Sequence, residues 1–225
     1  IFSGLGNTLK RIQAIARYLQ FYQPDMVVSF FTDINVLSIM AGMLRGIPVV
    51  VTERNHPLKH SDPKRWKIAS RILYRFAKRL VVQTEGARKY YRHFGIPTTV
   101  IPNPILHKGS FHQNSRENII LGVGRLVPQK GFHRLIKAFA QSNIYPEWRL
   151  IILGEGQERP RLENCIKKLG MEAFITFPGL VKNIEEYYQR ASVFVLSSYY
   201  EGFPNLMAEA MASGLACLSL KCRFG

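Results

Sequence analysis

Ser197-Ser198-Tyr199-Tyr200-Glu201-Gly202-Phe203-Pro204-Asn205-Leu206-Met207-Ala208-Glu209-Ala210-Met211-Ala212-Ser213-Gly214 follows the apolar run Val193-Phe194-Val195-Leu196. That run reads as a buried parallel strand. Gly202 and Pro204 then break regular structure. Asn205 suits a helix N-cap, and Gly214 suits the position just past a last helical turn. The stretch therefore predicts strand, tight loop and a helix from Asn205 to Ala212, its N-terminus at a crevice. Free N–H groups and a partial positive charge at such an end suit an anion, phosphate above all.

Two carboxylates frame this loop, Glu201 and Glu209, with seven residues between them. Carboxylates repel phosphate but accept charge-assisted hydrogen bonds from hydroxyl groups. The combination asks for a ligand with phosphate in the middle and hydroxyls on both sides, which a nucleotide-sugar provides.

Working back along the chain, Gly122-Val123-Gly124-Arg125-Leu126-Val127-Pro128-Gln129-Lys130-Gly131 follows another apolar strand, Ile119 to Val123. Gly122 and Gly124 admit a close backbone approach. An Arg fork at 125 and a Lys point charge at 130 can grip a diphosphate. Val127 stands where a dinucleotide fingerprint has its third Gly, and the string is not a P-loop. Gly154-Glu155-Gly156 follows the next strand and reads equally as a tight turn or a ligand contact.

The string from Glu201 to Ala212, Glu-Gly-Phe-Pro-Asn-x3-Glu-Ala-Met-Ala, resembles the donor-site motif of the family 4 glycosyltransferases, retaining enzymes of the GT-B fold. Gly124-Arg125 through Lys130-Gly131 resembles the same family's diphosphate element. The segment Phe177 to Val181 resembles the one whose main chain meets the nucleotide base. The resemblance implies a fold of two Rossmann-like, doubly wound parallel-sheet domains, both incomplete here, with the chain lacking family segments at both ends. It implies donor contacts at Gly124, Arg125, Lys130, Gly154, Val181, Glu201, Gly202, Phe203, Pro204, Asn205, Leu206 and Glu209. Arg125, Lys130 and Glu201 would be catalytic: the two cations hold the leaving diphosphate and Glu201 the donor sugar, while Glu209 holds the ribose. Glu53-Arg54-Asn55-His56 also resembles a segment of similar enzymes, which makes it an acceptor-side expectation.

The first half reads as strand and helix in alternation, with strands Met26 to Phe31, Val49 to Thr52, Leu80 to Gln83 and Thr98 to Ile101. Thr32-Asp33 and Thr84 are expected helix caps. The second half continues with strands Leu150 to Leu153, Ile175 to Phe177 and Leu215 to Leu218. Such alternation predicts an α/β fold with parallel sheets. Asn103 to Ser115 has turn-forming residues and little periodicity, so the domains are expected at 1–112, on the acceptor side, and 113–225, on the donor side.

The chain has 225 residues, 47% hydrophobic and 20% charged, which allows real cores. Its net charge of +16 is uneven, with 17 Lys and Arg against 5 Asp and Glu in residues 1–112. Seven of those cations fall in Lys64–Arg79, a predicted basic helix whose apolar positions include Trp66, Ile72, Leu73 and Phe76. A basic first half implies an anionic partner, whether nucleic acid, an acidic membrane face or a phosphorylated acceptor, and the helix itself suits the membrane face. A basic nucleic-acid-binding protein is the alternative from another class, but no nucleic-acid motif is present and no nucleic-acid partner is expected. A sugar phosphorylase-like enzyme on the same fold is a further alternative.

Cys165, Cys217 and Cys222 lack the spacing and the nearby His of a metal site. Asp-x-Asp is absent as well, so no metal and no cofactor are expected, and the donor, UDP-linked in preference, is a substrate. The expected activity is metal-independent, retaining transfer of a hexose or N-acetylhexosamine to a glycan or polyprenyl-linked acceptor. The expected setting is bacterial, in the cytoplasm, peripheral at the inner face of the cytoplasmic membrane.

Overall fold

The computed structural model describes residues 5–58, 63–105 and 116–222. Two compact units part between Asn103 and Pro104. The expected boundary at 112/113 lies outside the described residues.

The first unit runs α1 (Leu5–Tyr22), β1 (Val27–Phe30), α2 (Thr32–Arg45), β2 (Val49–Glu53), α3 (Lys64–Leu73), β3 (Arg79–Val82), α4 (Glu85–Tyr91) and β4 (Thr98–Val100). Its four strands are parallel and lie in sequence order, β1-β2-β3-β4. Val51, Leu80 and Val82 are fully buried, against Leu37 and Ile39 of α2. The short β-branched runs form strands because an inner parallel strand is buried on both faces; β2 is buried almost throughout, whereas Val28 and Phe30 of β1 are exposed. Thr84 caps α4 as expected, accepting the Ala87 N–H at 3.2 Å.

Thr32 does not cap α2; Phe31 holds that position at φ 71°, and Thr32 begins the helix. The basic helix also ends earlier than expected, at Leu73. A 3-10 turn, Tyr74–Phe76, follows, and Arg79 opens β3. The cause is strand pairing. The Lys78 N–H donates to the Val49 carbonyl at 2.8 Å and Arg79 stands in register with Val50, so the chain must straighten there.

The second unit runs β5 (Glu117–Val123), α5 (Phe132–Gln141), β6 (Arg149–Leu153), α6 (Arg159–Lys168), β7 (Ile175–Gly179), α7 (Glu185–Arg190), β8 (Ala191–Leu196), α8 (Asn205–Ala212) and β9 (Ala216–Ser219). The order is β7-β6-β5-β8-β9, all parallel. The chain thus moves outward from β5 to β7, then returns to lay β8 on the other side of β5. β7 runs two residues beyond the expected end, through Pro178 and Gly179. It is an edge strand, where a missing N–H does least harm. Two apolar clusters hold the helices, one around Ile136, Leu150 and Leu162 and one around Leu121, Phe194 and Ala210.

Candidate donor site

Ligands in open α/β sheets gather beyond the carboxyl ends of the strands, where the strand order reverses. In the second unit that point lies between β5 and β8. The loops leaving these two strands carry the Gly124–Gly131 and Ser197–Pro204 segments, so topology alone brings together two motifs about 70 residues apart.

The two loops are stitched to each other. The Tyr199 N–H donates to the Gln129 carbonyl at 2.9 Å, and Gln129 Nε2 donates to the Tyr200 carbonyl at 2.8 Å. Ser197 Oγ donates to the Lys130 carbonyl at 2.8 Å. Gly131, at φ 63°, lies so close beneath Ser197 that a Cβ would stand 2.4 Å from its carbonyl oxygen. No other residue fits that crossing.

At the centre, Lys130 Nζ donates to Glu201 Oε1 at 2.7 Å, and Ser198 Oγ donates to the same oxygen at 2.6 Å. The Lys130 and Glu201 side chains are 13% and 9% exposed. Gly124 permits this pair. A Cβ there would stand 3.2 Å from Lys130 Cε, so the lysine stem lies across the glycine. Gly154 works one layer lower. Its N–H donates to the Gly179 carbonyl at 2.8 Å, and a Cβ would stand 2.0 Å from the Gly124 carbonyl. Of its two readings, the tight turn is the one the geometry carries.

Arg125 is exposed, and its side chain makes no hydrogen bond or ion pair among the described residues. Glu209, one turn into α8, is half-buried and has a different neighbour from Glu201. The Tyr188 hydroxyl lies 3.3 Å from Glu209 Oε2 and 3.3 Å from the Leu206 carbonyl. Burial raises the Glu209 pKa and Glu185 adds to the rise, while the Tyr188 hydrogen bond opposes it. Burial and the Glu209 charge hold the Tyr188 hydroxyl protonated far above the ordinary tyrosine range.

Gly202, Phe203 and Pro204 form the half-buried turn before α8, and Leu206 packs on the cluster around Phe194. Asn205 is the first helical residue and Pro204 the cap, with no side-chain cap, so the expected Asn cap is corrected. The expected stop at Gly214 holds at φ 75°. The Val181 side chain packs inward while Leu180 is exposed.

In the first unit, Glu53 is buried at the end of β2. It accepts a short hydrogen bond from Tyr74 Oη, and bonds of 3.4 Å from Asn35 Nδ2 and Thr32 Oγ1. His56 is buried and its Nδ1 accepts the Leu58 N–H at 3.2 Å; Asn55 is half-buried. Arg54 is exposed and lies over the Phe30 ring at 4.9 Å. Of the four expected acceptor-side residues, Arg54 is thus the one presented to solvent, while Glu53 closes an internal network.

Ser198, Gln129 and Tyr188 were not anticipated as site residues. Ser198 adjoins the motif, but nothing local to Gln129 or Tyr188 marks them. Among the described residues no three His, Cys, Asp or Glu side chains form a group able to hold a metal ion, and no helix is long and apolar enough to cross a membrane.

Residues 106–225 match the family model described as glycosyl transferases group 1, and residues 1–107 match that of glycosyltransferase family 4. A Campylobacter jejuni α-1,4-N-acetyl-D-galactosaminyltransferase, named for a diphospho-undecaprenol-linked GalNAc-GalNAc-diNAcBac substrate, is 27% identical over 94% of this chain and 59% of its own length. The amylovoran biosynthesis glycosyltransferase AmsD of Erwinia amylovora is 29% identical over 93% of this chain and 62% of its own. The chain spans about three fifths of the length of the curated relatives it matches. Among solved structures, the lipopolysaccharide outer core galactosyltransferase WaaB superposes with a TM-score of 0.78 at 21% identity, over 96% of this chain and 62% of that one. Anabaena HepE, solved with UDP, gives 0.79 at 20% identity, over 96% of this chain and 64% of that one. With its two parallel sheets, the architecture is the GT-B fold.

Proposed function

The chain belongs to the glycosyl transferases group 1, and from that premise we propose that it carries the donor site of a metal-independent, retaining glycosyltransferase. The observation that bears most weight is the clamped pair of loops at the β5/β8 switch point, with Lys130 and Glu201 locked together and Arg125 exposed on the same loop, five residues before Lys130. A nucleotide-sugar enters with its diphosphate toward Arg125, Lys130 and the N-terminus of α8. Lys130 then shares its charge between Glu201 and the phosphates, and the freed acceptor capacity of Glu201 meets sugar hydroxyls. Glu209 accepts from the ribose. As the bond to the nucleotide breaks, the two cations stabilise the charge growing on the leaving diphosphate, a role worth about 10² or more in rate per donor.

UDP is the donor base favoured by the Glu-Gly-Phe-Pro-Asn string, and HepE, of the same fold, was solved with UDP. The moved group is a hexose or N-acetylhexosamine, and the acceptor a glycan or a polyprenyl-linked glycan. The name of the Campylobacter relative supports that acceptor class. An anionic membrane face suits such an acceptor. The exposed stripe Ile68, Ile72 and Phe76, with Lys64, Arg65, Arg71 and Arg75 also exposed, is the surface for it. Trp66 is 8% exposed and belongs to the core instead. The cytoplasm and its membrane face remain the proposed location.

The test is transfer by the full-length protein from UDP-hexoses and UDP-N-acetylhexosamines to a polyprenyl-diphosphate-linked glycan in excess chelator. Product with retained anomeric configuration supports the reading. Activity that appears only when Mn²⁺ is restored, or an inverted product, rules it out.

A further inference from the structure

α5 and α6 each present a second, polar stripe. On α5, His133 and Lys137 stand one turn apart, away from buried Leu135, Ile136 and Phe139. On α6, Arg161, Asn164 and Lys168 stand at spacings of three and four, away from buried Leu162 and Ile166. These stripes, with Cys165 and the apolar Leu169, line a groove of about 510 Å³. That volume lies within the roughly 300–1,000 Å³ of small-molecule sites.

The groove gathers positive charge that the fold does not balance. Arg161 pairs with Glu158 at 3.2 Å, but Lys137 and Lys168 enter no ion pair among the described residues. Burial, then the charges of Arg161, Lys137 and Arg134, push the His133 pKa below its ordinary value, with Glu158 opposing. Like charges held together in this way favour an anion. Two ammonium groups, a guanidinium and an amide suit a ligand with several acceptor oxygens and more than one charge. We propose that this groove binds a soluble diphosphate-type anion, at a position separate from the donor diphosphate. His133 also lies 3.1 Å, through Nε2, from the Tyr199 hydroxyl, and Arg134 covers the Tyr199 ring at 4.7 Å. The groove thus adjoins the loop that follows β8.

The test is a pyrophosphate titration of the 225-residue chain followed on the His133 ring proton by NMR, with His133→Gln to assign it. A bound anion offsets the neighbouring cations, so the His133 titration midpoint moves up. The response should persist in Arg125→Ala and weaken at least tenfold in Lys137→Gln/Lys168→Gln; both lysines are exposed, so the variant should fold. A His133 signal that does not move, or moves equally in the double-lysine variant, overturns the proposal. Loss of the response in Arg125→Ala would place the anion at the donor site, sinking the groove while leaving the donor reading intact.

Discussion

Lys130, Arg125 and Glu209 have different surroundings, so their substitutions should separate. Arg125 is exposed and unpaired among the described residues, so Arg125→Ala should lower kcat/KM in the full-length enzyme by about 10² or more while leaving the melting temperature unchanged. Lys130→Ala removes one partner of a largely buried ion pair and strands Glu201. It should cost activity and also about 3 kcal/mol or more of stability, read from urea unfolding. An unchanged fold is therefore expected only at Arg125. Glu209 sets a pH signature. Its pKa is raised above the ordinary 4.5, so the carboxylate protonates earlier than usual as pH falls, and the acceptor proposed for a ribose hydroxyl is lost. Donor KM should rise on the acid side, beginning above the ordinary glutamate range. Glu209→Gln should have a weaker affinity that no longer varies there. An acid limb unchanged in Glu209→Gln would assign the titration to another group. The stability effect has the opposite sign: a raised carboxyl pKa favours the folded state at low pH and loses that contribution as pH rises through the shifted value.

At the level of elements, the strand–loop–helix punctuation was legible because it is local. Buried parallel strands are apolar runs, and Gly202, Pro204 and Gly214 act on their own neighbourhoods. The end of α3 was not legible. Its helical pattern continues to Phe76 with no Gly or Pro to stop it, and what ends it is the pairing of Arg79 with Val50, a contact across the sheet. The Lys130–Glu201 pair and the Tyr188–Glu209 bond were hidden for the same reason: their partners meet only through the fold. Glycine geometry gives a test at this scale. Gly154→Ala brings a Cβ to 2.0 Å from the Gly124 carbonyl at φ 131°, whereas Gly170, at φ 66°, faces open space. Gly170→Ala should cost roughly 1 kcal/mol, and Gly154→Ala clearly more. Equal denaturation midpoints would show that the β5 and β6 loops are not packed as described. The α3 stripe gives another test. Roughly 1 kcal/mol per cation near an anionic leaflet, added to Ile68, Ile72 and Phe76, supports reversible attachment. Vesicle binding should require anionic lipid, fall with salt, and drop in Ile68→Ser/Ile72→Ser. Equal binding to neutral vesicles would reject it.

Across the whole molecule, two units of parallel sheet carry different polar clusters at their strand ends. The second has a strand-order reversal among its described strands, and the Gly124–Gly131 and Ser197–Pro204 loops meet there. The first carries its polar cluster at the end of β2, where Glu53 is enclosed by Tyr74, Asn35 and Thr32 and Arg54 is open. If the β5 and β8 loops receive a nucleoside diphosphate, calorimetric titration of the 225-residue chain with UDP, GDP and ADP detects it. One-to-one binding of at least one of them is expected, UDP first, weakened tenfold or more by Arg125→Ala and by Glu209→Gln. No binding of any of the three at millimolar concentration, or binding that neither substitution weakens, would contradict it.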